Sequence, residues 1–208
     1  YSEFFKNNLN ENSKEILEKF EKNFSQRGSD KATNNYHFIY SCIFSQLNTE
    51  YKILEVGLGT NNTKIISSMG INGKPGASIK AFRDTFSKAL IYGADVDQNI
   101  LFEEDRIKTF YVDQTDLSSF DNITQEVNEK FDLIIDDGLH YQLSNLNTLI
   151  FALNNLSFDG YLVIEDIGIW TIDTWKIVNK LLPKEFESSI VKMTNDNFIF
   201  VVKKIGYQ

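Results

Sequence analysis

The sequence predicts a doubly wound α/β fold: a seven-stranded, mostly parallel sheet with helices on both faces, N-terminal helices and an antiparallel C-terminal hairpin. Three observations carry this expectation. From residue 51 onward, short apolar runs alternate with stretches of helical period, the pattern of strands joined by helical crossovers. Several runs end in an acid or a glycine turn, at the edge where open α/β sheets take their ligands. The last two runs stand too close together for a helix between them.

The elements follow in order. Residues 11–24 set Glu11, Ile16, Leu17, Phe20 and Phe24 at helical spacing, and 35–47 do the same with Tyr36, Ile39, Tyr40, Ile43, Phe44 and Leu47. Strands are expected at 51–56, 90–95, 107–112, 131–136, 160–165, 188–193 and 197–203. Helices are expected at 77–88, 97–104, 121–130, 141–156 and 171–182. Between the final strands lies Thr194-Asn195-Asp196-Asn197, a turn-rich tetrapeptide that suits a hairpin. With no internal repeat and no low-complexity linker, the 208 residues are expected to form one domain, with 1–50 a helical cap and 51–208 the sheet-bearing core.

Bulk properties exclude several classes. A formal charge of −8 opposes nucleic-acid binding, which demands a basic footprint. The single cysteine, Cys42, rules out a disulfide framework and reads as a buried apolar residue. No apolar run reaches the length of a membrane span. The start, Tyr1-Ser2-Glu3-Phe4-Phe5-Lys6, lacks the basic-then-apolar layout of a signal peptide, so a soluble cytoplasmic protein is expected. The apolar N-terminal helices are compatible with a homodimer.

Function gathers at the strand ends. Leu54-Glu55-Val56-Gly57-Leu58-Gly59 runs from a strand into a glycine turn that lets a ligand approach the backbone. A dinucleotide fingerprint would need a third glycine where Asn62 stands, and residues 61–76 read as a long loop. The next strand ends in Asp95, placed to accept ribose hydroxyls, and the following one in Asp113, placed to receive an adenine amino group. Asp136-Asp137-Gly138-Leu139-His140 closes the fourth apolar run, and Glu165-Asp166 closes the fifth. Asp137, Glu165 and Asp166 are hard oxygen donors suited to Mg²⁺ or Mn²⁺. His140 is expected to act as a general base toward a metal-bound hydroxyl, whereas His37 reads as structural.

These motifs together resemble class I S-adenosylmethionine-dependent methyltransferases, in which a seventh strand enters through a C-terminal hairpin. More narrowly, the Asp-Asp-Gly-x-His element paired with Glu-Asp is similar to the metal-dependent sugar O-methyltransferases of the macrocin and mycinose type and their cephalosporin hydroxylase-like relatives. The resemblance runs from about Asp30-Lys31 to Asp166. It implies that Gly57, Gly59 and Asn61 cradle the methionine part of S-adenosylmethionine, with Ser78 as a further contact. It also implies that Asp95 holds the ribose, Asp113 approaches adenine, and Asp136 lies under the sulfonium. Asp137, Glu165 and Asp166 are then the metal ligands and His140 the base. Asp30-Lys31 with Tyr36 and Tyr40 resembles a segment that closes over the active site. Leu139 replaces a smaller residue and is expected to narrow the pocket. Trp170 and Trp175 are candidates to stack on a sugar face, with core packing the equal reading for Trp175.

The implied substrate is a sugar or sugar nucleotide of a surface-glycan pathway, such as capsular polysaccharide, or of a natural-product pathway, with a nucleotide-linked sugar or a surface-glycan precursor preferred. Alternatives are methylation of another diol such as a catechol, or a nucleotide-cofactor-binding module without chemistry. A nicotinamide-dependent oxidoreductase is disfavoured by Asn62 and the terminal hairpin.

Overall fold

The strands β1 (Lys52–Val56), β2 (Leu90–Asp95), β3 (Glu103–Glu104), β4 (Ile107–Tyr111), β5 (Phe131–Asp136), β6 (Leu156–Gly168), β7 (Phe186–Lys192) and β8 (Asn197–Lys204) form one sheet in a computed structural model of the chain, in the order β3-β4-β2-β1-β5-β6-β8-β7. The structure describes residues 1–194 and 196–206, so Asn195 of the expected hairpin turn lies outside the described residues. β4, β2, β1, β5 and β6 run parallel, and β8 and β7 close the sheet antiparallel. The order reverses between β1 and β5, and that switch point is where a doubly wound sheet opens a crevice.

The central strands are mostly apolar because both faces are covered, whereas the edge strands β3 and β7 carry exposed polar residues. Side chains alternate between faces. Ile53, Leu133, Ile135, Val163, Ile199 and Val201 pack with α2 (Ser13–Arg27), α3 (Tyr36–Ile43) and α4 (Ala77–Thr85). Leu54, Ile134, Leu162, Ile164, Phe200 and Val202 pack on the other side with α5 (Asp121–Val127), α6 (Gln142–Asn155) and α7 (Ile172–Leu181). An aromatic knot fastens the N-terminal helices to the core. Phe20 stacks on Phe24 at 5.3 Å and meets Phe82 edge-on at 5.3 Å and Phe86 at 5.5 Å, while Tyr40 meets Phe82 at 5.3 Å. Such pairs add about 0.5–1.5 kcal/mol each beyond area burial.

Three expectations need correction. The sheet has eight strands among the described residues, because Glu103–Glu104 turns back on Ile107–Lys108. The helix expected over 97–104 is only a 3-10 turn, Gln98–Ile100, capped by Asp97 accepting from the Asn99 amide at 3.0 Å. Arg106 with φ 58° makes the tight turn that lets β3 form, and one turn of apolar spacing was too little to specify a helix. A short helix α1 (Ser2–Asn7) precedes α2, with no buried residue to announce it. Other boundaries shift too: α2 continues to Gly28, whose left-handed φ of 79° ends the helix, α3 stops at Ile43 rather than at 47, and the strand expected over 160–165 spans Leu156–Gly168.

Candidate functional site

The tips of β1 and β5 nearly touch. The Asp137 amide donates to the Val56 carbonyl and the Gly57 amide to the Ala94 carbonyl, both at 2.8 Å. Gly57 has φ 99°, and a Cβ there would lie 2.1 Å from the Asp137 carbonyl oxygen. Glycine is therefore required at this position both by conformation and by space. Above this contact lies a cavity of about 400 Å³ bordered by Gly28–Asp30, Gly57–Gly59, Ser78, Asp137–His140 and Asp166. A second, of about 170 Å³, is bordered by Asp95, Val112–Gln114 and Leu139. Gly57, Ile66, Ser67, Gly138 and Leu139 border both, so the two are compartments of one crevice.

Asp95 and Asp113 both face the smaller compartment. Asp95 spends its oxygens on backbone amides, accepting from Leu58 and from Asp97 at 2.8 Å each, and so fixes the glycine turn. Asp113 accepts from the Thr115 amide and hydroxyl through Oδ1. Gly59 borders the larger compartment, but Asn61 borders neither. The Asn61 amide instead donates to the carbonyls of Gly70 at 2.7 Å and Gly73 at 3.0 Å, folding the 61–76 loop on itself. Ser78 reaches the cavity wall and donates to Glu55 at 2.5 Å.

Asp136 is fully buried and borders neither compartment. It accepts from Gln114 at 2.8 Å and Asn145 at 3.0 Å. Gln114 in turn accepts from the Leu139 amide at 2.8 Å. This network sets the height of the Gly138–Leu139 segment, and a Cβ on Gly138 would meet Gln114 Oε1 at 2.0 Å. Leu139 borders both compartments.

The acidic edge divides in two. Asp137, His140 and Asp166 offer ligand atoms within 4.8 Å of one another, the one group among the described residues able to converge on an ion. Their side chains are 26%, 38% and 34% exposed, facing the cavity. His140 Nε2 lies 3.9 Å from Asp137 and 3.7 Å from Asp166. Asp166 sits where β6 slips register against β8 between Ile164 and Ile167, a bulge that re-aims the side chain. Both His140 (φ 52°) and Asp166 (φ 53°) adopt left-handed backbone, a cost that surrounding packing sustains and that concentrates at working sites.

Glu165 does not join that group. It is buried beneath, with Lys31 donating to it at 2.5 Å and the Tyr40 hydroxyl donating to its other oxygen. The Lys31 ammonium also donates to Asp137 at 2.8 Å and stands 3.1 Å from Glu55 Oε1, which receives no well-aligned hydrogen bond. Burial pushes the Glu165 and Glu55 carboxyls up and the Lys31 charge works against it; the surrounding carboxylates hold Lys31 firmly protonated despite its burial. The Tyr36 hydroxyl donates to Asp166 at 2.5 Å, and Asn197 donates to the same oxygen at 2.7 Å. Sequence reasoning missed Glu55, Gln114 and Asn145. A glutamate inside the apolar run Ile53–Val56 was the available signal, since a buried acid needs a partner.

The donor set suits a hard cation: two carboxylates and an imidazole converge without soft ligands. Trp170 is 83% exposed beside the bulge, whereas Trp175 is core, 5.0 Å from Phe200. His37 and Cys42 are buried as expected, and burial pushes the Cys42 thiol to about 11.

No protein-family model matches the chain. The chain is 31% identical over 137 residues to the 8-demethyl-8-(2-methoxy-α-L-rhamnosyl)-tetracenomycin-C 3′-O-methyltransferase of Streptomyces olivaceus, a match covering 64% of this chain and 32% of that protein. It is 32% identical over 125 residues to the demethylmacrocin O-methyltransferase of Streptomyces fradiae, covering 60% and 29%. The chain thus spans about a third of the length of these curated relatives. Among solved structures, the MycE methyltransferase of the mycinamycin biosynthetic pathway, in complex with Mg and SAH, superposes with a TM-score of 0.69 at 19% identity, covering 89% of this chain and 54% of that one. A putative ribosomal RNA methyltransferase from Plasmodium falciparum gives 0.62 at 16% identity, covering 85% and 97%. The chain has the class I S-adenosylmethionine-dependent methyltransferase fold.

Proposed function

We propose that this chain carries an S-adenosylmethionine-dependent, divalent-metal-assisted O-methyltransferase site acting on a hydroxyl of a sugar-bearing small molecule. One observation carries the reading: Asp137, His140 and Asp166 converge at the mouth of a two-compartment crevice at the sheet's switch point. The larger compartment suits the methionine end of the cofactor, beside Gly57 and Gly59. The smaller suits ribose and adenine, beside Asp95 and Asp113. Asp137 and Asp166 would hold Mg²⁺ or Mn²⁺.

When bound, S-adenosylmethionine supplies an electrophilic methyl group and the cation supplies Lewis acidity that lowers a hydroxyl pKa. The chain's residues do the rest. His140 Nε2, 3.9 Å from Asp137 and 3.7 Å from Asp166, would accept the hydroxyl proton. Gly57 and Gly138 keep the floor low enough for the reacting groups to meet in line, and such orientation supplies about 7–11 kcal/mol. Tyr36 and Asn197 hold Asp166 in place.

The fold alone does not choose the substrate, since an RNA-modifying enzyme shares it. The charge of −8 disfavours nucleic acid. The name of one curated relative specifies a rhamnosyl-bearing tetracenomycin, which favours a sugar-bearing natural product over a surface-glycan precursor. The described residues include no helix long and apolar enough to cross a membrane.

The test is methyl transfer from labelled cofactor to a panel of glycosides, nucleotide sugars and catechols, with and without chelator. His140→Ala and Asp137→Ala should each lower turnover at least a hundredfold, and chelator should abolish it. Full turnover in both variants with cofactor bound would refute the mechanism.

A further inference from the structure

The most unusual group in the molecule is the ammonium of Lys31. Its side chain is 1% exposed, yet it touches three carboxylates carried on or just past three neighbouring strands: Glu165 at 2.5 Å, Asp137 at 2.8 Å and Glu55 at 3.1 Å. Lysine is seldom buried without such partners. The helix cap and the residues that follow it bring it there. Gly28 turns the chain out of α2 toward the cavity, and α3 then delivers Tyr36 and Tyr40 to the same carboxylates.

Four acids stand at this edge, and they are not equivalent. Glu55 and Glu165 are buried behind the crevice floor, while Asp137 and Asp166 face the cavity. Lys31 lies between the two pairs and shares Asp137 with the outer one.

We propose that Lys31 is a positioning residue that occupies the inner half of the acidic cluster as a permanent cation, restricting the site to a single divalent ion on its cavity face. Glu165 then serves Lys31 rather than the metal. A metal drawn inward to Glu55 and Glu165 would sit behind Asp137, out of reach of a substrate in the cavity. Lys31 prevents this by holding those oxygens itself. It also repels the ion from within one carboxylate's width, which keeps the ion outward and exchangeable. This inference rests on reading Asp137 and Asp166 as the ligands of a metal site beside His140.

The experiment is calorimetric titration of Mn²⁺ into the whole chain and three variants, each checked for fold by circular dichroism. Wild type should bind one ion. Lys31→Met should bind at least tenfold more tightly, or take up a second ion, because a competing charge is gone and two carboxylates are released. A purely structural lysine would leave affinity unchanged or lower it. Should Lys31→Met fail to fold, Glu165→Gln against Asp166→Asn decides: Asp166→Asn should lose at least tenfold more affinity than Glu165→Gln. Equal losses would make Glu165 a ligand and overturn the inference while sparing the functional reading. No gain in affinity or stoichiometry in a folded Lys31→Met would overturn it as well. Wild type that binds no ion would remove the metal-site reading and this inference with it.

Discussion

Gly57 decides how closely the strand tips approach, and its neighbour Gly59 provides a contrast. Both have positive φ, but a Cβ on Gly57 meets backbone at 2.1 Å, whereas one on Gly59 meets the flexible end of Met69 at 2.2 Å. Gly57→Ala should therefore cost about 1–3 kcal/mol of stability and displace Asp137, with cofactor binding lost. Gly59→Ala should retain measurable binding, because Met69 can move. Equal binding by the two variants would contradict the assignment. His37 offers a pH test. Burial lowers its pKa from 6.5, with the Lys31 carbonyl working the other way. A histidine whose folded pKa lies below its unfolded value contributes stability that is full above about 6.5 and lost as pH falls toward the folded value. The denaturation midpoint of His37→Gln should fall less between pH 7 and pH 5 than that of wild type. Parallel profiles would mean that His37 is not held neutral.

At the scale of elements, the helical cap and the sheet act as one device. Phe20 and Phe24 of α2 lock into Phe82 and Phe86 around α4, and that lock fixes where Lys31, Tyr36 and Tyr40 enter the site. Phe20→Ala should cost about 3–5 kcal/mol in chemical denaturation. It should also weaken ion binding, although Phe20 touches no candidate ligand. Unaltered ion affinity would show that the cap and the site are independent. Strand interiors and long helices were legible because periodicity reports burial: β1, β2, β5 and α6 lie within two residues of expectation. The 97–104 segment was misread because a turn cap and a two-residue strand leave too short a pattern. The β6 bulge was invisible as well. Glu165-Asp166 reads as two equal acids in sequence, but at the bulge one turns inward to Lys31 and the other lines the cavity.

For the whole molecule, the mostly parallel sheet and its antiparallel C-terminal hairpin agree with the motifs from which they were expected, whereas the acids that converge are Asp137 and Asp166 with His140, without the Glu165 expected as a ligand. Asn61 and Asp136 do supporting work instead, one folding the long loop and the other setting the floor. Sequence could not separate these roles, since an acid at a strand tip serves a ligand or a backbone amide with the same chemistry. The central claim is that the crevice takes S-adenosylmethionine. Calorimetric titration with that cofactor in the presence of Mg²⁺ tests it most directly. Micromolar binding is expected, about −8 kcal/mol, with that affinity lost in Gly57→Ala. A folded wild-type chain that gives no binding would contradict it.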